Sequence, residues 1–156
     1  MRPRLIFFIN TADLFLTHRQ HLAQGAIRKG FEIYVICPEG PSTERLRELG
    51  YNCVPIKMSR KGINPLQELK TILTLTRIFQ DLKPLIVHNF TIKCVLYGTM
   101  AARWCRIQKV VNSITGRGHV FIDQGIRARA LRRILSFLYK LFFTDGRAQF
   151  VFQNDD

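Results

Sequence analysis

"RLIFFINTADLFLTHRQHLAQGAIRKGFEIYVIC", residues 4–37, decides the fold. It opens with an unbroken apolar run, Leu5 to Ile9. A strand wetted on one face would alternate apolar with polar residues. This run does not, so it predicts a strand buried on both faces, as in a parallel sheet. Thr17 and Gln20 stand at capping-box spacing, which predicts a helix starting at Thr17 and stopping at Gly30. "FEIYVIC", residues 31–37, is a second strand of the same kind. Strand, helix and strand at this spacing make a parallel βαβ unit.

The pattern continues outward. After the turn "PEGPS", residues 43–49 predict a short helix stopped by Gly50. "NCVPI", residues 52–56, predicts a third strand, at or near an edge because Pro55 cannot donate to a ladder. Asn64 as cap and Pro65 in the first turn start another helix, with Leu66, Leu69, Ile72, Leu73, Thr76 and Phe79 at helical spacing. Pro84 separates it from the strand "LIVHN". Residues 92–106 predict a buried helix with the small residues Gly98, Ala101 and Ala102. "KVVNSIT" is the fifth strand and, after a basic helix, "AQFVFQ" is the sixth. The expectation is an α/β fold: one domain, 1–156, built as a doubly wound Rossmann-like parallel sheet with helices on both faces.

A net charge of +13 on 156 residues points to a phosphate-bearing partner: nucleic acid, an anionic membrane or a phosphorylated substrate. Basic residues are not interleaved with aromatics and no binding module is evident, so nucleic acid is not expected. Cys37, Cys53, Cys94 and Cys105 form no C-x-x-C and read as buried free thiols. His18 and His21 share a helical face without a third ligand, so no metal site is expected. The first apolar run is too short for a signal peptide, and no uncharged apolar stretch reaches the ~18 residues of a membrane span. A soluble or peripheral protein is expected.

Ligands of open parallel sheets sit at the carboxyl ends of the strands. Here those ends carry Asn10 to Asp13, Cys37 to Gly40, His88 to Thr91, and Thr115 to His119. The first loop, "NTADLFLTHR", has no glycine, which excludes the dinucleotide fingerprint. No Walker lysine pattern and no nucleophile elbow occurs. "SITGRGHVF", residues 113–121, does place two glycines at a strand end, where a missing side chain permits close backbone approach.

Three stretches, "FLTHRQHLAQGAIRKGFEIYVICP", "IVHNFTIKCVLYGTMAAR" and "VVNSITGRGHVF", resemble the N-terminal half of glycosyltransferase family 4 enzymes of the GT-B fold. The resemblance covers nearly the whole chain in order and spacing. It implies an acceptor-binding domain, with Asp13, His18, Arg19, His88, Asn89 and Lys93 toward the acceptor. Thr115, Gly116, Arg117 and Gly118 would form the donor-facing loop, and His119 would be the candidate catalytic residue. Thr115 stands where many relatives have histidine, and others carry a hydrophobic residue at position 117 and an aromatic one at 119. The implied reaction moves a sugar from a nucleotide-sugar to a glycan or lipid-linked acceptor, with retention, in bacterial surface polysaccharide synthesis. It needs no cofactor beyond the nucleotide-sugar co-substrate. The family's donor-binding C-terminal domain is absent from these residues. The donor would therefore be reached through that missing domain or a partner chain, and this chain alone would be inactive.

Residues 126–143 separate by face. Arg129, Arg132, Arg133, Ser136 and Lys140 line one side, and Leu131, Ile134, Leu135, Leu138 and Phe142 the other. An ordinary solvated face and a helix docked on anionic lipid both fit this pattern. The resemblance favours lipid, and with it a cytoplasmic protein peripheral on the inner face of the plasma membrane. Two other readings stay open: a non-catalytic membrane-anchoring subunit of a split glycosyltransferase, and a basic nucleic-acid-binding Rossmann-like domain.

Overall fold

The computed structural model describes residues 2–58, 64–115 and 148–153. Six strands, β1 (Arg4–Phe8), β2 (Glu32–Cys37), β3 (Asn52–Pro55), β4 (Ile86–Phe90), β5 (Lys109–Thr115) and β6 (Ala148–Gln153), form one sheet in the order β3-β2-β1-β4-β5-β6. Every pairing is parallel. β3 is an edge strand, as Pro55 requires. Five helices, α1 (Ala12–His18), α2 (Gln20–Arg28), α3 (Thr43–Glu48), α4 (Pro65–Leu82) and α5 (Ile92–Trp104), connect the described strands.

The unbroken apolar run feeds two cores. Leu5, Phe7 and Ile9 point to one face and pack with Phe15, Val35 and Leu46 under α1 to α3. Ile6 and Phe8 point to the other and pack with Ile36, Ile72, Leu75, Phe79 and Ala101 under α4 and α5. A strand of period two between two helical layers must be apolar at every position.

The first helix differs from expectation. It starts at Ala12, where the Thr11 hydroxyl accepts the Leu14 amide at 3.3 Å. Thr17 lies inside it, its hydroxyl donating to the Asp13 carbonyl at 2.8 Å, so the expected capping box does not form. A cap right after the strand pre-empts one six residues later. The helix then breaks at Arg19 (φ −126°, ψ −9°) and restarts as α2.

α4 starts as expected: Asn64 Oδ1 accepts the Leu66 and Gln67 amides at 3.1 and 3.5 Å. Its buried face is Thr71, Ile72, Leu75 and Phe79, which leaves Leu66, Leu69 and Leu73 exposed. All four cysteines are free thiols. Among the described residues no His, Cys, Asp and Glu group could hold a metal ion, and no helix is long and apolar enough to cross a membrane. The loop Gly116 to His119 and the basic stretch 126–143, with Arg129, Arg132, Arg133 and Lys140, lie outside the described residues.

Candidate functional site

β1 lies between β2 and β4. After β1 the chain turns to the face of α1 and α2, and after β4 it turns to the opposite face, into α5. The two loops part, and their parting opens a crevice at the carboxyl ends of β1 and β4.

His88 is the chemical centre of that crevice. Its Nε2 lies 2.8 Å from the Ser113 hydroxyl at the end of β5. The ring stacks on Phe90 at 4.0 Å and tilts against Phe7 at 5.6 Å. Burial, and then the Arg19 charge nearby, push the imidazole down to about 4. At neutral pH His88 is therefore uncharged, with one donor and one acceptor nitrogen. It can orient a hydroxyl but cannot neutralise a phosphate. The positive charge comes from Arg19, 6% exposed, whose guanidinium lies 5.0 Å from the Phe90 ring centre. The helix break at Arg19 is what brings this side chain over β4.

Thr91 closes β4 at φ 72° and ψ 150°, a conformation that β-branched residues avoid and that costs about 1–3 kcal/mol. Its amide donates to the Ser113 carbonyl at 3.3 Å, and its side chain does not cap α5. Opposite it, Asn10 Oδ1 at the end of β1 is buried without a hydrogen-bond partner in the described structure.

The acceptor-side residues expected from sequence divide by location. Arg19 and His88 meet in the crevice. Asp13 and His18 are exposed at the two ends of α1, and the Ser42 hydroxyl bonds the Asp13 carboxylate.

Asn89 does not face the crevice. Strand alternation turns it to the other face, where its Nδ2 donates to Asn112 Oδ1 at 2.8 Å. Asn112 Nδ2 in turn donates to the Thr99 hydroxyl at 3.1 Å. Gly98 makes room for this network, since a Cβ there would lie 1.9 Å from Asn89 Oδ1. Asn89 is fully buried and supports the crevice from behind.

Lys93 is also engaged. Its Nζ donates to Glu68 Oε1 at 2.7 Å, and the Tyr97 hydroxyl donates to Glu68 Oε2 at 2.7 Å. This joins the start of α4 to the start of α5 and corrects the expectation of a lysine open to ligand. Thr115 ends β5, in register with Gln153, while Gly116, Arg117, Gly118 and His119 are outside the described residues.

Sequence reading missed Ser113 and Glu68 as site residues. Ser113 carried a signal: it is polar in an apolar strand and lies near the strand's carboxyl end. Glu68 carried none, because its partners are 25 and 29 residues away.

Residues 4–154 match the family described as Glycosyl transferase 4-like. Over 151 residues the chain is 32% identical to the N,N'-diacetylbacillosaminyl-diphospho-undecaprenol alpha-1,3-N-acetylgalactosaminyltransferase of Campylobacter jejuni, covering 96% of this chain and 40% of that protein. Among solved structures it resembles Acinetobacter baumannii MurG, with TM-score 0.63 and 17% identity over 99% of this chain and 46% of that one. It also resembles a glycosyltransferase of Rickettsia africae, with TM-score 0.61 and 12% identity over 98% and 43%. The chain spans less than half the length of each of these relatives. At such identities the solved structures speak for the fold, the Rossmann-like α/β half of a GT-B glycosyltransferase. The chain belongs to the glycosyl transferase 4-like family.

Proposed function

We propose that this chain is the acceptor-binding half of a glycosyltransferase that extends a lipid-diphosphate-linked saccharide for a bacterial surface glycan. The observation that carries this is the 32% identity, over 96% of the chain, to an enzyme whose name specifies a diphospho-undecaprenol acceptor. The crevice at β1 and β4 is the acceptor site in this reading. Arg19 supplies fixed positive charge there, and the neutral His88, held by Ser113, orients an acceptor hydroxyl. Thr115 to Gly118 form the donor-facing loop, with His119 beside them. No resident cofactor takes part.

In the reaction the acceptor oxygen bonds to the anomeric carbon as the bond from that carbon to the nucleotide phosphate breaks. An oxygen of the leaving phosphate takes the acceptor proton, and configuration is retained. The donor is held by sequence beyond this domain, so residues 1–156 by themselves turn over no nucleotide-sugar. Work at the inner face of the plasma membrane follows from a lipid-linked acceptor. The test supplies radiolabelled nucleotide-sugars and a polyprenyl-diphosphate-linked saccharide to the full-length protein. Label is expected to move into the organic phase, and label that stays aqueous with every donor and acceptor overturns the reading.

A further inference from the structure

α4 buries one side and presents an unusual other side. At 100° per residue its buried positions Thr71, Ile72, Leu75 and Phe79 cluster on one flank. Leu66, Leu73, Lys70 and Arg77 lie on the opposite flank, with Leu69 on its shoulder. The three leucines are 72%, 46% and 49% exposed for Leu66, Leu73 and Leu69. A soluble surface does not ordinarily set leucines in a row at helical spacing.

The charge on this flank has one sign along most of its length. Lys70 and Arg77 are exposed between the leucines, and Lys57 is exposed beside them, its carbonyl accepting the Thr71 hydroxyl at 3.0 Å. Glu68, the acidic residue of the first turns, is drawn to the inner side by Lys93 and Tyr97 and is only 13% exposed. Asp81, the other acidic residue of α4, sits about 22 Å along the axis from Leu66. Apolar side chains flanked by cations, with the carboxylate withdrawn, complement an anionic lipid surface: acyl chains take the leucines and headgroup phosphates take Lys57, Lys70 and Arg77. A second copy of this chain would bring the same cations face to face.

We infer that the outward flank of α4 is a lipid-contact surface that seats the domain on an anionic bilayer. It is distinct from the basic stretch 126–143 and rests on the lipid-linked-acceptor reading for the presence of a bilayer. The full-length protein is sedimented with phosphatidylcholine vesicles, with and without phosphatidylglycerol. Binding that needs phosphatidylglycerol is expected. Leu66→Gln/Leu69→Gln/Leu73→Gln should lower it on the order of tenfold, and Lys70→Gln/Arg77→Gln should remove most of its salt sensitivity. Unchanged melting temperatures show that both variants fold.

Wild-type protein that ignores the vesicles overturns the inference. So does leucine-variant binding equal to wild type, including the case where Arg129→Gln/Arg132→Gln/Arg133→Gln alone abolishes binding. A leucine variant that turns a dimer into a monomer without altering vesicle binding assigns the face to a second copy and also overturns it. Sugar transfer in detergent micelles is measured in parallel. Absent transfer with α4-dependent vesicle binding defeats the functional reading and leaves this inference standing.

Discussion

His88 shows how far one side chain's surroundings set its chemistry. Burial against Phe7 and Phe90, with Arg19 nearby, holds its pKa at about 4, below the ordinary 6.5. The unfolded chain therefore binds a proton between those values that the folded chain resists. Stability contributed by the neutral imidazole is complete above pH 6.5 and is lost as pH falls toward about 4. His88→Gln keeps a hydrogen-bonding group for Ser113 but cannot titrate. Its urea midpoint is expected to fall less steeply over that window than the wild-type midpoint. Gly98 supplies a second test at this scale. Gly98→Ala puts a methyl carbon 1.9 Å from Asn89 Oδ1 and forces the amide network apart. The expected loss is about 2–4 kcal/mol by urea denaturation, although alanine is the better helix former. At this scale sequence was a poor guide: it marked His88 and Asn89 as neighbours on one strand, while strand alternation sends them to opposite layers.

Among the elements, α4 was the most legible, because Asn64 and Pro65 act through local geometry that sequence displays directly. The first helix was less so. Thr11 and Thr17 both have the chemistry of a cap, and only the strand's end at Phe8 decides between them. The clamp of Lys93, Glu68 and Tyr97 was invisible, since it joins two helices whose packing sequence does not display. It has a measurable coupling. The pair is mostly buried, with side chains 22% and 13% exposed for Lys93 and Glu68, so desolvation strengthens each bond and makes a lone partner costly. A double-mutant cycle of Glu68→Gln and Lys93→Met should give a coupling energy of about 1–3 kcal/mol. Additive losses would show that the two helices are held by apolar packing alone.

The whole sheet was legible from connection lengths, because parallel strands joined by crossovers of this size leave few topologies open. The cysteines report on its integrity. Burial pushes the Cys37 and Cys94 thiols up to about 12, and the half-buried Cys53 and Cys105 are raised as well. Thiolate is the reactive form, so native protein near neutral pH should react slowly with an alkylating reagent. All four thiols should label once the chain is unfolded in urea, and mass spectrometry counts them. Rapid labelling of Cys94 in native protein would mean that α5 leaves the sheet readily.

The first strand made is the one that lies innermost. β1 needs β4 on its second side, and Leu5 pairs with Ile86. At a synthesis rate of ~5–20 residues per second, the ribosome takes roughly 4–16 s to cover the distance between them. For that interval a nascent sheet of β1, β2 and β3 has the amides and carbonyls of its most apolar strand open along one edge. Such an edge invites pairing with another chain. Whatever guards the emerging polypeptide therefore has the most to shield before β4 leaves the exit tunnel.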